Sequence, residues 1–384
     1  MAATIAYLDY NATAPIREAA ARAVVEAMEV GGNPSSVHAS GRRARKIVEA
    51  ARGQVATLVG AKPMEVIFTS GGTEANNLAL NALPFRRLIV SAIEHDSILA
   101  AAAATDADFV AVPVDRDGVL DLAALEAALA GCEGPVLVSV MLANNETGVL
   151  QPVREAAGLA REHGALVHCD ATQAVGRIAV DMVELGADML TLSAHKLGGP
   201  QGVGALIVRE GLDVQPRQHG GGQEFGRRAG TENVPGIAGF GAAAIIALDE
   251  VARAGKIAAL RDGLERQIKR SVPAALIWGE AVPRLPNTCC IGLAGVPSET
   301  QVMALDLAGV AVSAGAACSS GKVRPSHVLR AMGASPDAAA SSIRVSLGAA
   351  STAADTERFL TAWIGLYARA NRHGSAHAPA ARRA

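Results

Sequence analysis

Lys196 stands where an apolar run gives way to a glycine loop. The stretch Asp188-Met-Leu-Thr-Leu-Ser-Ala-His-Lys-Leu-Gly-Gly-Pro-Gln-Gly-Val-Gly-Ala-Leu-Ile-Val208 reads as two short strands, Met189–Leu192 and Gly204–Val208. Between them lie Ser193, His195 and Lys196, then Gly198, Gly199, Pro200 and Gly202. A lysine held at such a strand end is partly desolvated, which disfavours the ammonium and frees the amine for Schiff-base chemistry. Taken alone, Ser-x-His-Lys is more often a solvated hairpin loop. A carboxylate upstream shifts the balance. Asp170 ends the apolar run Ala165-Leu-Val-His-Cys169, which places an acid at the C-terminal edge of a sheet, where ligands of open α/β sheets sit.

Cys318 is the second candidate. Val312-Ser-Ala-Gly-Ala-Ala-Cys318-Ser-Ser-Gly-Lys-Val-Arg-Pro-Ser326 surrounds the thiol with small residues. Such a loop has little to pack and is expected to be mobile. A structural cysteine normally sits among bulky apolar neighbours, as Cys132, Cys169, Cys289 and Cys290 do. Those four are read as core and Cys318 as reactive.

The elements that must position these groups alternate along the chain. A helical pattern runs from Arg17 to Met28, and after the turn-rich Gly32–His38 a long amphipathic helix is expected over 41–59. Glu65–Ser70 is a strand, and Gly71-Gly72-Thr73-Glu74 leads into a helix over Ala75–Leu83. Strand, glycine turn and helix start can hold a phosphate with backbone N–H groups, or can be a simple connection capped by Thr73. Arg87–Ser91 is a strand followed by His95, which alone would be an ordinary hydrogen-bonded histidine. Val136–Met141 is a buried strand ending in Asn144-Asn145-Glu146, with helices on either side over Leu122–Leu129 and Pro152–His163. Gln173 follows the Asp170 strand. This alternation predicts an α/β domain with a mostly parallel central sheet flanked by helices. The glycine loop 219–233 carries Arg227, Arg228 and Thr231 and reads as a solvated turn. A long alanine-rich helix is expected over Ile237–Arg270. Short strands at Asn287–Leu293, Val310–Ser313 and Ser342–Ser346, with helices over Ser298–Ala308 and from Thr352 to about 370, suggest a smaller α+β domain. Arg344 on its short strand would more often be a surface or salt-bridged residue.

Taken in order, these motifs resemble the class V aminotransferase group of pyridoxal-phosphate enzymes, and most closely the cysteine desulfurases of the NifS/IscS kind. The likeness runs from about Tyr7-Leu-Asp-Tyr-Asn-Ala-Thr-Ala-Pro15, through Gly32–His38 at the mouth of the site, to Ser341-Ser-Ile-Arg344-Val-Ser-Leu-Gly348. It implies pyridoxal 5'-phosphate on fold type I, used as an electron sink with Lys196 as its Schiff-base partner and Asp170 on the ring nitrogen. Gly72, Thr73, Gln173, Ser193 and His195 would complete the cofactor site. The resemblance stacks His95 on the pyridine ring as a proton mover and puts Asn145 near the phenolic oxygen and the substrate. Thr231 would reach the phosphate of the other subunit's cofactor, which makes the protein a homodimer. Arg344 would fork the carboxylate of L-cysteine. Cys318 would take the sulfur as a persulfide, leaving L-alanine, and pass it to an acceptor such as an iron–sulfur scaffold or a sulfur carrier. The implied pathways range over iron–sulfur assembly, nitrogenase maturation and tRNA thiolation. A selenocysteine lyase or an aminotransferase would share every cofactor residue, and only the Cys318 loop separates them. A silent scaffold that only binds an assembly partner is disfavoured by the intact Lys196 and Asp170. Gly198 and Gln201 stand where the family often has an aromatic and a lysine, and Ala14 where a second threonine is usual.

Composition closes other routes. The 384 residues carry a formal net charge of −2, which gives no electrostatic case for nucleic acid or a membrane surface. The five cysteines show neither Cys-x-x-Cys nor a metal-ligand spacing, so no metal is expected and reduced thiols in a cytoplasmic compartment are. No uncharged apolar run of about 18 residues suggests a membrane span. The N-terminal residues lack a basic and then apolar signal pattern. No Gly-x-Gly-x-x-Gly follows the first strand, which disfavours a dinucleotide-binding oxidoreductase. The expected organisation is a large cofactor-binding domain over 16–255, a smaller one from 1–15 and 256–370 that carries the cysteine loop, and a disordered tail over 371–384.

Overall fold

The computed structural model describes residues 5–315 and 325–375, with side chains to residue 370. Cys318, and with it the expectation of a mobile loop, lies outside the described residues.

The strands in chain order are β1 (Ala6–Tyr7), β2 (Val66–Thr69), β3 (Arg87–Ser91), β4 (Asp108–Val112), β5 (Val136–Ser139), β6 (Leu166–Asp170), β7 (Met189–Ser193) and β8 (Gly204–Val208), followed by β9 (Leu276–Ile277), β10 (Thr288–Gly292), β11 (Val310–Ala311), β12 (Ser313–Ala314) and β13 (Ser342–Ser346). A seven-stranded sheet has the order β2-β8-β7-β6-β5-β3-β4. From β7 to β4 every pair is parallel, and β8 runs antiparallel to both its neighbours. The apolar runs that made these strands legible are buried on both faces, as parallel strands covered by helices must be. Alternate residues go to opposite sides. Val66, Phe68, Ile89, Val138, Leu190 and Ile207 join one core, while Ile67, Leu88, Val90, Leu137, Met189 and Leu206 join the other.

Helices α1 (Glu18–Val30), α2 (Ala39–Leu58), α3 (Gly72–Leu80), α4 (Asp96–Ala103), α5 (Leu122–Leu129), α6 (Val153–Glu162), α7 (Met182–Leu185) and α8 (Val234–Val251) belong with this sheet. By length and composition α8 could cross a membrane, but it packs against α1 and α2 and contributes Ile237, Phe240 and Ala244 to the first core. The helix expected over Ile237–Arg270 is in fact two, α8 and α9 (Ala254–Ser271). The break is where the chain changes cores: α8 serves the large sheet, whereas Leu264 and Ile268 of α9 join a separate cluster with Ile291, Ile343, Phe359 and Trp363.

That second cluster lies under a four-stranded sheet of order β12-β13-β10-β9, flanked by α10 (Ser298–Leu307) and α13 (Ala353–Ser375). Two short helices, α11 (His327–Ala331) and α12 (Pro336–Ala340), precede β13. The strand expected over Val310–Ser313 is split at Val312: β11 pairs with β1, and β12 pairs with β13. The N-terminal arm thus lies among late strands, with β1 parallel to β11 and Asp9 bridging Ser346. The helix α13 continues to Ser375, into the stretch expected to be disordered.

Candidate active site

The C-terminal ends of β3, β5, β6 and β7 deliver His95, Asn145, Asp170 and Lys196 to one edge of the sheet. β6 brings Asp170 there because its inward residues are satisfied from both sides. The His168 imidazole bridges Ser139 Oγ and Thr191 Oγ1, each at 2.9 Å. Burial, opposed by the nearby Asp170 carboxylate, holds His168 down at about 4, so it is a neutral crosslink of three strands.

The Asp170 carboxylate accepts from Asn76 Nδ2 at 2.8 Å and from the Thr172 backbone N–H at 2.9 Å. Asn76 also donates to Ser97 Oγ at 2.8 Å, which is 2.8 Å from His95 Nδ1. A polar chain therefore connects His95 to Asp170 through α3 and α4. His95 is also the N-cap of α4, with Nδ1 accepting from the Ser97 N–H at 3.1 Å. That fixes the ring at the strand end.

Asn11 ties the rest together. Its carbonyl accepts from Lys196 Nζ at 2.6 Å and from Gln173 Nε2 at 3.0 Å, and Ala12 O accepts from Lys196 at 2.8 Å. Asn11 Nδ2 donates to Asn145 O at 3.1 Å, the same carbonyl that accepts from Arg344 Nη1 at 3.1 Å. Lys196, Gln173, Asn145 and Arg344 thus meet around one buried asparagine of the N-terminal arm. His195 points back to Thr13 Oγ1 at 3.1 Å, and burial, then the adjacent Lys196 charge, pulls it down to about 4. It positions the arm as a neutral ring.

The glycine turn before α3 completes the edge. Gly204 at the start of β8 lies so close to the turn that a Cβ there would be 2.7 Å from the Gly71 carbonyl carbon. Only glycine lets the turn sit down on the sheet. A Cβ on Gly71 would meet open space, while one on Gly72 would lie 3.4 Å from Thr172 Oγ1 and 3.5 Å from Ser193 Cβ. Thr73 is exposed at the helix start.

Thr231 is exposed and joins none of these contacts. It borders a cavity of about 130 Å³ with Thr69, Ser70 and Arg228. A larger cleft of about 920 Å³ borders Lys196 on the side of Arg17, Glu250 and Leu347, but Asp170, His95 and Arg344 do not line it. Of the four residues gathered at the sheet edge, it touches Lys196 alone.

Asn76 and Ser97 carry no motif in the sequence, and Asp9 and Asn11 stand out there only as members of the Tyr7–Pro15 loop. Asn76 is a polar residue buried on an apolar helix face, a signal that helical periodicity would have shown.

These residues fit pyridoxal 5'-phosphate. A buried carboxylate sits at a strand end beside a neighbouring histidine, and a glycine turn with open space heads a helix. Buried polar atoms are left over where a ligand would need them: Asn76 Oδ1 and Thr172 Oγ1 have no hydrogen-bond partner. Asp170 would hold the ring nitrogen, His95 the ring face and Gly72, Thr73 and Ser193 the phosphate.

The aminotransferase class-V family model matches residues 6–359. A cysteine desulfurase of Cereibacter sphaeroides is 46% identical over 365 residues, covering 92% of this chain and 93% of that protein. Cysteine desulfurase IscS 1 of Archaeoglobus fulgidus is 40% identical, covering 94% and 97%. The X-ray structure of a NifS-like protein from Rickettsia africae superposes with a TM-score of 0.88 at 38% identity, covering 95% of this chain and 99% of that one. The chain belongs to the class-V aminotransferase family, on its pyridoxal-phosphate-dependent cysteine desulfurase branch.

Proposed function

We propose that the protein converts L-cysteine to L-alanine and carries the released sulfur on Cys318 to an acceptor protein. The observation that supports this most directly is a short chain of contacts beside the Asp170 edge: Lys196 donates to the Asn11 carbonyl, while Asn11 and Arg344 both donate to the Asn145 carbonyl. It puts an amine that can exchange with the substrate next to a cation that can hold its carboxylate.

Bound pyridoxal phosphate supplies an electron sink for the substrate. The protein's own residues do the rest. Arg344 binds the substrate carboxylate and fixes the direction of the side chain. Asp170, whose carboxylate accepts from Asn76 and from the Thr172 N–H, would hold the ring nitrogen through a charge-assisted contact. Lys196 and His95 move protons to and from carbon. The Cys318 thiolate attacks the substrate sulfur: the new S–S bond forms as the Cβ–S bond breaks, and the electron pair stays on carbon, which is protonated to alanine.

The same reading makes Thr231 a residue of the partner's site in a homodimer. It divides the chain into a cofactor domain over 16–255 and a smaller domain from 1–15 and 256–370. Placement of Ala6 and Leu8 in the second core supports that division. The acceptor is a cytoplasmic sulfur carrier or an iron–sulfur scaffold.

Replacing Cys318 by alanine tests the transfer. The variant should bind cofactor and cysteine, shown by visible absorbance changes, yet form no persulfide and little alanine. In the wild type, peptide mass spectrometry should place one extra sulfur on the Cys318 peptide. Undiminished desulfuration by the variant, or activity on selenocysteine alone, would replace this reading with a lyase.

A further inference from the structure

Gly315 and Ser326, on either side of the segment that contains Cys318, meet on one carboxylate of the Asn144-Asn145-Glu146 turn. Ser326 Oγ donates to Glu146 Oε2 at 2.6 Å. A Cβ built on Gly315 would lie 2.6 Å from the same oxygen and 3.5 Å from Ser326 Cβ. Glycine at 315 therefore lets the chain pass directly over the carboxylate. Ser326 Oγ also accepts from the Leu329 N–H at 3.0 Å and caps α11. The next residue, His327, reaches Glu94 O at 3.0 Å, directly before His95. Glu146 itself is 2% exposed and is locked from behind, its N–H bonded to Asn144 Oδ1 at 2.9 Å.

A buried carboxylate is costly, and packing two chain segments together does not require one. What a carboxylate adds is a strong, directional acceptor. The turn that carries it also supplies the Asn145 carbonyl to Arg344 and Asn11. One rigid turn thus connects the substrate-carboxylate site to both flanks of the Cys318 segment. Cys318 follows Gly315 by three positions in the sequence, a reach of at most about 10 Å. The place from which that reach begins decides whether the thiol meets the substrate sulfur in line.

We propose that Glu146 is a positioning residue for sulfur transfer: by holding Gly315 and Ser326 against the Asn145 turn, it sets the origin from which Cys318 works. This rests on the assignment of Cys318 as sulfur acceptor.

The test uses the full-length holoenzyme with Glu146→Ala, Glu146→Gln, Ser326→Ala and the Glu146→Ala/Ser326→Ala double variant. Visible absorbance reports cofactor and cysteine binding, and quenched single turnovers with peptide mass spectrometry report sulfur on Cys318. Glu146→Ala should keep cofactor and cysteine affinity while sulfur appears on Cys318 on the order of 10- to 100-fold more slowly. Glu146→Gln should recover part of the rate, because its amide oxygen still accepts from Ser326. The double variant should be no slower than the slower single. A wild-type rate in Glu146→Ala overturns the proposal, as does parallel loss of cofactor binding and rate with no rescue by Glu146→Gln. If Glu146→Ala fails to fold, a wild-type rate in Ser326→Ala overturns it. Sulfur found on another cysteine of the wild type overturns the Cys318 assignment, and this proposal with it.

Discussion

Asp9 Oδ1 accepts from Arg344 Nη2 at 2.8 Å, while Asp9 Oδ2 accepts from Ser313 Oγ at 2.8 Å. The guanidinium is further held by Asn145 O, and its Nε is buried with no hydrogen-bond partner. If Arg344 holds the substrate carboxylate as proposed, the fork is aimed before substrate arrives, with Nε left over as a donor. Arg344→Lys loses the planar fork, a charge-assisted contact worth about 1.5–3 kcal/mol, so KM for cysteine should rise about 10- to 100-fold. Asp9→Asn keeps the arginine but loosens its aim and should raise KM in the same direction by less. Steady-state kinetics decide; an unchanged KM in both variants would remove Arg344 from the substrate site.

Asp170 and Asn76 act in series. Asp170→Asn should still bind cofactor, as visible absorbance will show, but lower kcat about 100-fold, the equivalent of roughly 3 kcal/mol of lost charge-assisted stabilisation. Asn76→Ala takes one of two donors from the carboxylate and should give a smaller loss. Equal activity in Asp170→Asn and wild type would break the assignment of the ring-nitrogen partner.

The exposed Thr231 gives a test of a site shared between subunits. Lys196→Ala should lose visible absorbance and turnover, and Thr231→Ala should lose turnover because the cofactor phosphate is no longer held. In a mixed dimer one site collects both lesions and the other none. Random mixing of two inactive variants should therefore restore about a quarter of wild-type activity. No recovery on subunit exchange, with dimers confirmed by sedimentation, would mean that each chain builds its own site.

Glu94 carries a pH dependence in the fold. Its Oε1 accepts from the Met141 N–H at 2.6 Å, but Oε2 is buried without a partner. Burial, then the Asp170 charge, raises its pKa well above the usual carboxylate range. A raised folded pKa means that the native state binds the proton more tightly than the unfolded chain. The contribution to stability is fully present below the unfolded carboxylate pKa and declines as pH rises toward the folded value. Glu94→Gln keeps the Met141 contact without an ionisable group. Its Tm should match wild type near pH 4 and exceed it by several degrees at pH 8; parallel Tm profiles would show that Glu94 is ionised in the native protein.

Much of this site could be seen in the chain. Lys196 and Asp170 announced themselves because each follows an apolar run, and the sheet carries both to one edge. The large sheet was legible for the same reason, apart from β4: Phe109 is half-exposed on an edge strand, and its alternation is weak. α4 was hidden in an alanine run with no periodicity. Asp9, Glu94 and Glu146 could not be read as site residues because their partners come from distant sequence, whereas Asn76 stood out only as a polar residue on an apolar helix face. Glu94 and Glu146 did leave a trace, as charged residues directly beside His95 and Asn145 in otherwise buried stretches. The break between α8 and α9 follows from a change of core, which no local pattern encodes.

The pairing of β1 with β11, and of Asp9 with Ser346, also bears on when the protein can work during its synthesis. Asp9 and Arg344 are 335 positions apart in the chain. The large sheet ends at Val208 and can close while the ribosome is still translating. The arm that holds Lys196, Gln173 and Asn145 together has no strands to dock on until β11 and β13 emerge. Contacts of such sequence separation form slowly and late. With Lys196 and Arg344 in the roles proposed above, a nascent chain would hold its cofactor lysine long before it could aim a substrate, and sulfur transfer would wait until almost the whole polypeptide had been made.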